Sequence, residues 1–192
     1  LVVPPGATGL VIFAHGSGSS RTSPRNQFVA GRLHDRGLAT LLFDLLTEAE
    51  DRDRERRFDI DLLTERLVGA TDWVGAQRPI GELPFGYFGS STGAAAALRA
   101  AAARGPDVAA VVSRGGRVDM ASDALAEVEA ATLFVIGGAD TQVLELNREA
   151  FESLTGEREL HVVEGAGHLF EGPGQLEEVA DVAARWFATH LA

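Results

Sequence analysis

A serine at position 91 is the residue of this chain whose surroundings best fit covalent chemistry. It stands at the centre of residues 89–93, Gly-Ser-Ser-Thr-Gly, which match a Gly-x-Ser-x-Gly pattern. An apolar run at 84–88 precedes the pattern and an alanine-rich stretch at 94–103 follows it, which predicts a strand, a sharp turn and a helix. In such a turn the serine backbone is strained and its hydroxyl projects beyond the sheet. The pattern therefore predicts that Ser91 is a nucleophile.

A serine hydroxyl is a weak nucleophile unless a base accepts its proton and a carboxylate orients that base. Of the five histidines, His168 follows the last predicted strand in a glycine-rich loop, residues 164–168, from which a ring can reach back to Ser91. The orienting acid is predicted to be Asp140, which comes just after the apolar strand at 132–136. The order serine, acid, histidine is typical of one superfamily of hydrolases.

Each of these assignments has an alternative. Asp140 could instead cap the helix that begins near Thr141, since aspartate is a favoured N-cap residue. Asp119, which follows the preceding strand, is the rival candidate for the orienting acid. His168 could be a histidine that only forms hydrogen bonds within its own loop. The three-dimensional positions of these side chains distinguish the alternatives.

A glycine- and serine-rich loop, residues 15–20, follows the first predicted strand. Attack on an ester carbonyl builds negative charge on its oxygen, and fixed backbone N–H groups stabilise that charge by about 3 kcal/mol each. We predict these donors to be the N–H groups of Ser17 and of Thr92, the latter at a helix N-terminus. His15 is predicted to hold the loop by hydrogen bonds. A phosphate-binding turn is the alternative, but Arg21 stands where a dinucleotide fingerprint requires glycine or alanine.

A scaffold must bring these residues together, and the sequence shows an alternating pattern of strands and helices that can do so. Apolar, β-branched-rich runs predict six strands, at 10–14, 39–43, 84–88, 108–113, 132–136 and 158–163. Between them, apolar residues recur at spacings of three and four, which predicts helices over 60–74, 143–154 and 176–187 in addition to the alanine-rich one. The alternation predicts an α/β fold with a doubly wound, mainly parallel sheet and helices on both faces. Right-handed crossovers would bring the carboxyl ends of the strands to one edge.

The bulk composition bounds the class of protein. A length of 192 residues, with 45% apolar and 23% charged residues, predicts one globular domain over residues 1–192. A net charge of −11 argues against nucleic acid or an anionic membrane as a partner. There is no cysteine and no cluster with metal-ligand spacing, so neither a metal nor another cofactor is expected. No targeting segment or long apolar run is visible, and we expect a cytoplasmic location.

The Gly-x-Ser-x-Gly turn, the His-Gly-Ser-Gly loop at 15–18, Asp140 and His168 together resemble an α/β-hydrolase, in particular the small lidless members similar to dienelactone hydrolases. The resemblance covers essentially the whole chain. It implies that Ser91 is the nucleophile, Asp140 the acid and His168 the base. The segment 114–130 is too short for a helical lid, and at most the last strand of the family's N-terminal hairpin is expected here. Dienelactone hydrolases proper use a cysteine at the turn, whereas this chain has a serine.

Arginines gather near the predicted catalytic edge of this acidic chain. Arg114 and Arg117 follow the fourth predicted strand, and Arg21 follows the loop after the first. Guanidinium groups bind carboxylates and phosphates in bidentate fashion, so these three arginines are candidate substrate-binding residues. The alternative is that they hold loops in place by pairing with acids such as Asp44 and Asp119.

The sequence accordingly predicts a serine hydrolase that cleaves small, water-soluble carboxylic esters, lactones or thioesters through an acyl-enzyme. We expect it to act on a small-molecule ester, as a monomer or homodimer and without a cofactor. The alternatives are amidase or peptidase activity on the same three residues, and a non-catalytic binding protein of the same fold. The charge-dense stretch 48–57 is predicted to be a solvated loop or a frayed helix start, or alternatively a mobile flap over the site.

Overall fold

Strands and helices alternate along the chain in the computed structural model, which describes residues 1–191. The strands are β1 (Gly9–Ala14), β2 (Leu38–Leu42), β3 (Phe85–Ser90), β4 (Val108–Arg114), β5 (Ala131–Gly137) and β6 (Arg158–Val163). The helices are α1 (Pro24–His34), α2 (Arg54–Arg57), α3 (Ile60–Gly75), α4 (Thr92–Arg104), α5 (Thr141–Ser153) and α6 (Gln175–His190). Every predicted strand is present, and its observed ends lie within two residues of the predicted ones.

The six strands form a single sheet in the order β2-β1-β3-β4-β5-β6, and all neighbouring strands pair in parallel. This confirms the predicted doubly wound parallel sheet. The chain turns from β1 to β2 in one direction and returns to β3 on the other side of β1, so the strand order reverses between β1 and β3. Ligands of open α/β sheets bind beyond the carboxyl ends of the strands at such a switch point. The loop at 15–20 and Ser91 follow these two strands and lie at that crevice.

Helices cover both faces of the sheet, as predicted. On one face, α1 and α6 bury side chains such as Leu33 and Phe187. On the other face, α3, α4 and α5 bury side chains such as Leu67, Leu98 and Leu144. Each large apolar side chain that is fully buried contributes about 1.5–3 kcal/mol. The central strands, covered on both sides, are for this reason continuously apolar in sequence.

The alanine-rich helix α4 lies against the sheet directly behind the turn at Ser91. Most of its residues are buried, and they are mainly alanines. A methyl side chain lets the helix axis come close to the strands beneath it, which larger side chains would prevent. Alanine is also the best helix former, so the same residues favour both the helix and its close packing.

The connection between β4 and β5 carries no lid. Residues 115–130 contain only two short 3-10 turns, Val118–Ala121 and Leu125–Glu127. No helical insertion therefore covers the carboxyl end of β4. At the other side of the sheet, Val2 forms an antiparallel bridge with Thr40 of the edge strand β2.

The charge-dense stretch 48–57 forms a 3-10 turn and the short helix α2, which agrees with a helix start more than with a loop. Its own residues pair with one another, as Arg57 does with Asp51 at 3.3 Å. The stretch lies beside the loop at 15–20, because Nη1 of Arg57 is 4.0 Å from the position that a Cβ on Gly18 would take. Its role as a flap stays a prediction.

Candidate active site

The turn between β3 and α4 holds Ser91 in a strained backbone conformation. Its φ is +50° and its ψ is −119°, outside the regions that residues with a side chain favour. Such a conformation costs about 1–3 kcal/mol and persists only where the surroundings enforce it. Here the Ser91 N–H donates to the carbonyl of Arg114 (3.2 Å), and the Arg117 N–H donates to the carbonyl of Ser91 (3.1 Å). Backbone bonds to the end of β4 and to the segment after it thus fix the turn.

Ser91 occupies the N-cap position of α4, but its side chain does not cap the helix. Serine at an N-cap normally accepts a hydrogen bond from the helix backbone, as Ser23 does at the start of α1. The Ser91 hydroxyl is instead half-exposed at the wall of a cavity. Its neighbour Ser90 has a hydroxyl that is buried and has no protein hydrogen-bond partner. Both adjacent serines belong to the cavity lining, but Ser90 is buried and Ser91 is the more accessible of the two.

The two glycines of the Gly-x-Ser-x-Gly pattern are required by close packing. A Cβ on Gly93 would lie 2.1 Å from the carbonyl oxygen of Ala14, at the end of β1. A Cβ on Gly89 would lie 2.4 Å from the Cα of Ala94. Both distances are far below van der Waals contact, so any side chain would push α4 away from the sheet. Glycine at these positions lets the turn bring Ser91 to the edge of β1.

His168 and Asp140 are in direct contact. Nδ1 of His168 lies 2.7 Å from Oδ2 of Asp140, although the two residues belong to different loops. A carboxylate can only accept a hydrogen bond, so Nδ1 carries a proton, and in the neutral form of the ring Nε2 has a free lone pair. Asp140 stands at the N-cap position of α5, yet its side chain makes no bond to that helix. The carboxylate orients the ring and does not cap the helix.

Backbone hydrogen bonds join the two loops that carry these side chains. The Ala139 N–H donates to the carbonyl of Ala166 (2.9 Å), and the Gly138 N–H donates to the carbonyl of Val163 (2.8 Å). These bonds extend the pairing of β5 with β6 beyond the ends of the strands. The relative position of ring and carboxylate is therefore fixed by the backbone.

Ser91 and His168 line the same cavity, which has a volume of about 460 Å³. Within residues 1–191, no hydrogen bond joins the Ser91 hydroxyl to the His168 ring. Hydrogen bonds between catalytic groups are often long in unliganded sites and shorten when substrate binds. The cavity is also lined by the loop after β1, by the start of α1, and by Arg114 and Leu169.

The two predicted oxyanion donors are both free to bind a ligand. Among residues 1–191, neither the Ser17 N–H nor the Thr92 N–H donates to another protein group. The loop that carries Ser17 packs closely against Ser91, because a Cβ on Gly16 would lie 3.1 Å from the Cβ of Ser91. Thr92 is the first residue of α4, where the helix dipole adds positive potential.

His15 is buried and braces the loop at 15–20, as the sequence analysis expected of it. Its Nδ1 lies 3.0 Å from the carbonyl of Gly16, and its Nε2 accepts a hydrogen bond from the Leu45 N–H at 3.0 Å. Both ring nitrogens are thus occupied by backbone groups. The ring fixes the loop to the segment that follows β2 and has no nitrogen left for proton transfer.

Two of the three candidate substrate-binding arginines pair with acids. Arg21 forms an ion pair with Asp44, which also accepts a hydrogen bond from the Arg21 backbone N–H at 2.7 Å. Arg117 donates two hydrogen bonds to Asp119, at 2.8 and 2.9 Å, and this bonding raises the pKa of Arg117. Asp119, the rival candidate for the orienting acid, is therefore occupied by Arg117 and not by His168. Of the three arginines, only Arg114 lines the cavity beside Ser91.

A buried asparagine that the sequence analysis did not single out supports this side of the site. Asn147 of α5 donates to the carbonyls of Gly116 (2.9 Å) and Val143 (2.8 Å). The adjoining Gly115 packs against the His168 ring, since a Cβ there would lie 3.4 Å from Nδ1 of His168. A polar residue among the buried positions of an amphipathic helix was the signal that could have identified Asn147.

Neither a membrane span nor a metal centre is evident in the part of the chain that the structure describes. No helix within residues 1–191 combines the length and apolarity needed to cross a bilayer. Over the same residues, no three histidine or acidic side chains gather as metal ligands would.

A dienelactone hydrolase of known structure is similar to this chain in both sequence and structure. A crystal structure of a dienelactone hydrolase from Anabaena variabilis is 54% identical and superposes with a TM-score of 0.96, covering 100% of this chain and 90% of that one. Est1E from Butyrivibrio proteoclasticus superposes with a TM-score of 0.82 at 15% identity, over 97% of this chain and 89% of its own. An α/β serine hydrolase homologue from Coxiella burnetii has a TM-score of 0.80 at 21% identity, over 96% and 88% of the two chains. The last two share the fold alone.

Two Mycobacterium tuberculosis proteins, from two strains, are 56% identical to the chain over 191 residues and cover 100% of it. Both bear the provisional name of phosphoribosyl transferase, and the chain spans 43% of their length. No protein-family model matches the chain.

The structural neighbours are hydrolases of the α/β fold. The chain belongs to the dienelactone-hydrolase-like proteins of the α/β-hydrolase superfamily, as its length-wide similarity to the Anabaena protein shows. The family resemblance predicted from the sequence is thereby confirmed.

Proposed function

We propose that this protein hydrolyses carboxylic esters through an acyl-enzyme formed on Ser91. The observation that carries the proposal is the 2.7 Å contact between His168 and Asp140, made at the cavity that Ser91 lines. A strained serine, a neutral imidazole and an orienting carboxylate are the three parts that nucleophilic acyl transfer requires. The hydrolase neighbours, among them a dienelactone hydrolase and a structure of Est1E with bound ferulic acid, agree with this chemistry.

In the first half-reaction, the Ser91 oxygen attacks the ester carbonyl carbon while Nε2 of His168 accepts the hydroxyl proton. The negative charge that develops on the carbonyl oxygen is stabilised by the N–H groups of Ser17 and Thr92. The imidazolium then donates its proton to the leaving alcohol as the ester C–O bond breaks. Asp140 stabilises the imidazolium and keeps the ring in its productive orientation.

In the second half-reaction, water attacks the acyl-enzyme and His168 removes the proton from that water. The same two N–H groups stabilise the second tetrahedral intermediate. Collapse of this intermediate returns the proton from His168 to Ser91 and releases the acid. Each proton that the ring takes up is returned, so the cycle needs neither a metal nor a redox partner.

The cavity favours small, polar esters. No lid covers the carboxyl end of β4, and the loop after β1 lines the cavity with hydroxyl groups and backbone. Leu169, which is 43% exposed beside His168, is a large apolar side chain of the lining. A long acyl chain would therefore remain largely in water and gain little from burial.

Hydrolysis of a p-nitrophenyl ester series tests the proposal. We expect measurable kcat/KM for the acetate and butyrate esters and a decrease for the laurate ester. The Ser91→Ala variant should lose at least about a thousandfold in kcat. Ser90→Ala is the matched control, because it removes the hydroxyl of the adjacent serine, which is buried next to the turn. Equal losses in the two variants, or a preference for laurate, would overturn the proposal.

A further inference from the structure

Arg114 carries a charge that no other protein group neutralises. Its Nη1 atom is buried, and within residues 1–191 the guanidinium forms no hydrogen bond and no ion pair. Its one evident contact is with the ring of Phe88, whose centroid lies 6.0 Å from the Cζ of Arg114. Arg114 as a whole is partly exposed, but a guanidinium with a buried atom is normally paired, because an uncompensated charge removed from water is costly. An unpaired guanidinium in this position indicates that a bound anion supplies the missing partner.

The other arginines near this edge of the sheet are paired, so the isolation of Arg114 is specific. Arg21 and Arg117 have their own acids, as described above. Arg25, the second residue of α1, pairs with the exposed Glu171 at 2.8 Å. Burial, together with the nearby charge of Arg25, lowers the pKa of Arg114 to about 10. Arg114 is still charged at neutral pH, and no acid is placed beside it.

Arg114 and Arg25 line the cavity that contains Ser91 and His168. Two cations in one cavity repel each other, and an anion bound between them would remove that repulsion. The remaining wall adds neutral donors and the start of α1, whose dipole also favours an anion. The hydroxyl-bearing residues of this wall are Ser17, Ser19, Ser20, Thr22 and Ser23.

We infer that this cavity binds a phosphate group and that the ester substrate of the protein carries one. A carboxylate offers two oxygens and one negative charge, which a single guanidinium can satisfy. A phosphate monoester offers three oxygens and a charge of about −1.5 to −2, which matches two guanidinium groups and a hydroxyl-rich wall. The substrate part of this inference rests on the proposed esterase function, whereas the phosphate site does not.

Glu171 competes with the proposed phosphate for Arg25. Its carboxylate holds Arg25 in the unliganded protein, and its side chain is 67% exposed. A phosphate that binds both arginines has to weaken this ion pair. Exposed ion pairs are worth little, so the competition is modest and can be removed by one substitution.

Isothermal titration calorimetry with inorganic phosphate at constant ionic strength tests the site. We expect wild-type protein and the Ser91→Ala variant to bind one phosphate each, because binding requires no catalysis. Arg114→Met should weaken the affinity at least about tenfold, the effect of losing a charge-assisted hydrogen bond. Arg32→Met is the matched control, since Arg32 lies on α1 outside the cavity and should leave phosphate binding unchanged. Glu171→Gln should tighten binding by about threefold.

Acetate, titrated in the same buffer, separates the two anion classes. We expect it to bind at least about tenfold more weakly than phosphate. The inference is overturned if Arg114→Met binds phosphate as tightly as wild type, or if acetate binds as tightly as phosphate. The melting temperature of Arg114→Met should equal or exceed that of wild type, because the variant removes an unpaired, partly buried charge. A protein that binds phosphate in this way but hydrolyses no ester would refute the proposed function and leave the phosphate site standing.

Discussion

His168 and Asp140 are joined through Nδ1 and Oδ2 at 2.7 Å, across two loops that follow neighbouring strands of the sheet. Because the contact uses Nδ1, Nε2 makes no bond to Asp140 and is the nitrogen available to act as the proposed base. The contact also takes the Asp140 carboxylate away from the helix that this residue would otherwise cap. The proposed function requires this contact for proton transfer, and the contact takes the place of a local helix-capping bond.

Replacing Asp140 by asparagine tests whether Asp140 or Asp119 is the acid that orients His168. We expect Asp140→Asn to reduce kcat by about 10³- to 10⁴-fold, because an amide can stabilise the wrong ring tautomer and cannot stabilise an imidazolium. Asp119→Asn is the matched control, since Asp119 contacts Arg117. That variant should retain kcat within about threefold. A larger loss in Asp119→Asn than in Asp140→Asn, measured with p-nitrophenyl acetate, would reverse the assignment.

The close approach at the turn predicts that Gly93 cannot carry a side chain. Gly93→Ala places a methyl group 2.1 Å from the carbonyl oxygen of Ala14, so the variant should lose about 3 kcal/mol of unfolding free energy or rearrange the turn. Gly69→Ala in α3 is the control, because no atom lies within 4 Å of the added methyl. It should gain about 0.5–1 kcal/mol. Urea denaturation of both variants measures the difference, and equal stabilities would contradict the packing.

Protonation of His34 should destabilise the fold in mild acid. Burial lowers the pKa of His34 from 6.5, against a smaller opposing effect of Asp35. The unfolded chain therefore binds more protons than the folded chain between that lower value and about 6.5, and the unfolding free energy decreases as pH falls through this window. Urea unfolding at pH 8 and pH 5 measures the decrease. His34→Gln should make it smaller, and an unchanged pH dependence would show that another group is responsible.

The sheet was predictable because its strands are buried on both faces, which leaves continuous apolar runs such as residues 10–14 and 132–136 in the sequence. The turn at Ser91 was predictable for a different reason. A Cβ at either glycine of the turn would lie only 2.1 or 2.4 Å from a backbone atom, so only glycine fits there. A packing constraint of that kind is visible in the sequence as a conspicuous glycine. Local constraints of burial and close approach are therefore readable before the structure is known.

The pairing of the arginines was not predictable to the same extent. Arg114 and Arg117 are three positions apart in one short segment. Arg117 is paired with Asp119, whereas Arg114 lines the cavity without an acidic partner. Which arginine is paired depends on how the chain turns after β4, and the residue types in this segment do not predict that turn. Asn147 was missed because its partner, the carbonyl of Gly116, is distant in sequence. Long-range contacts between polar groups require the coordinates.

The most direct test of the central claim is covalent labelling with a fluorophosphonate probe, followed by peptide mass spectrometry. Such probes react with a serine only when a base and an oxyanion site activate it. We predict a single adduct on Ser91 in the wild-type protein, retained in Ser90→Ala and lost in His168→Ala. An unlabelled wild-type protein, or an adduct that persists unchanged without the His168 ring, would contradict the account.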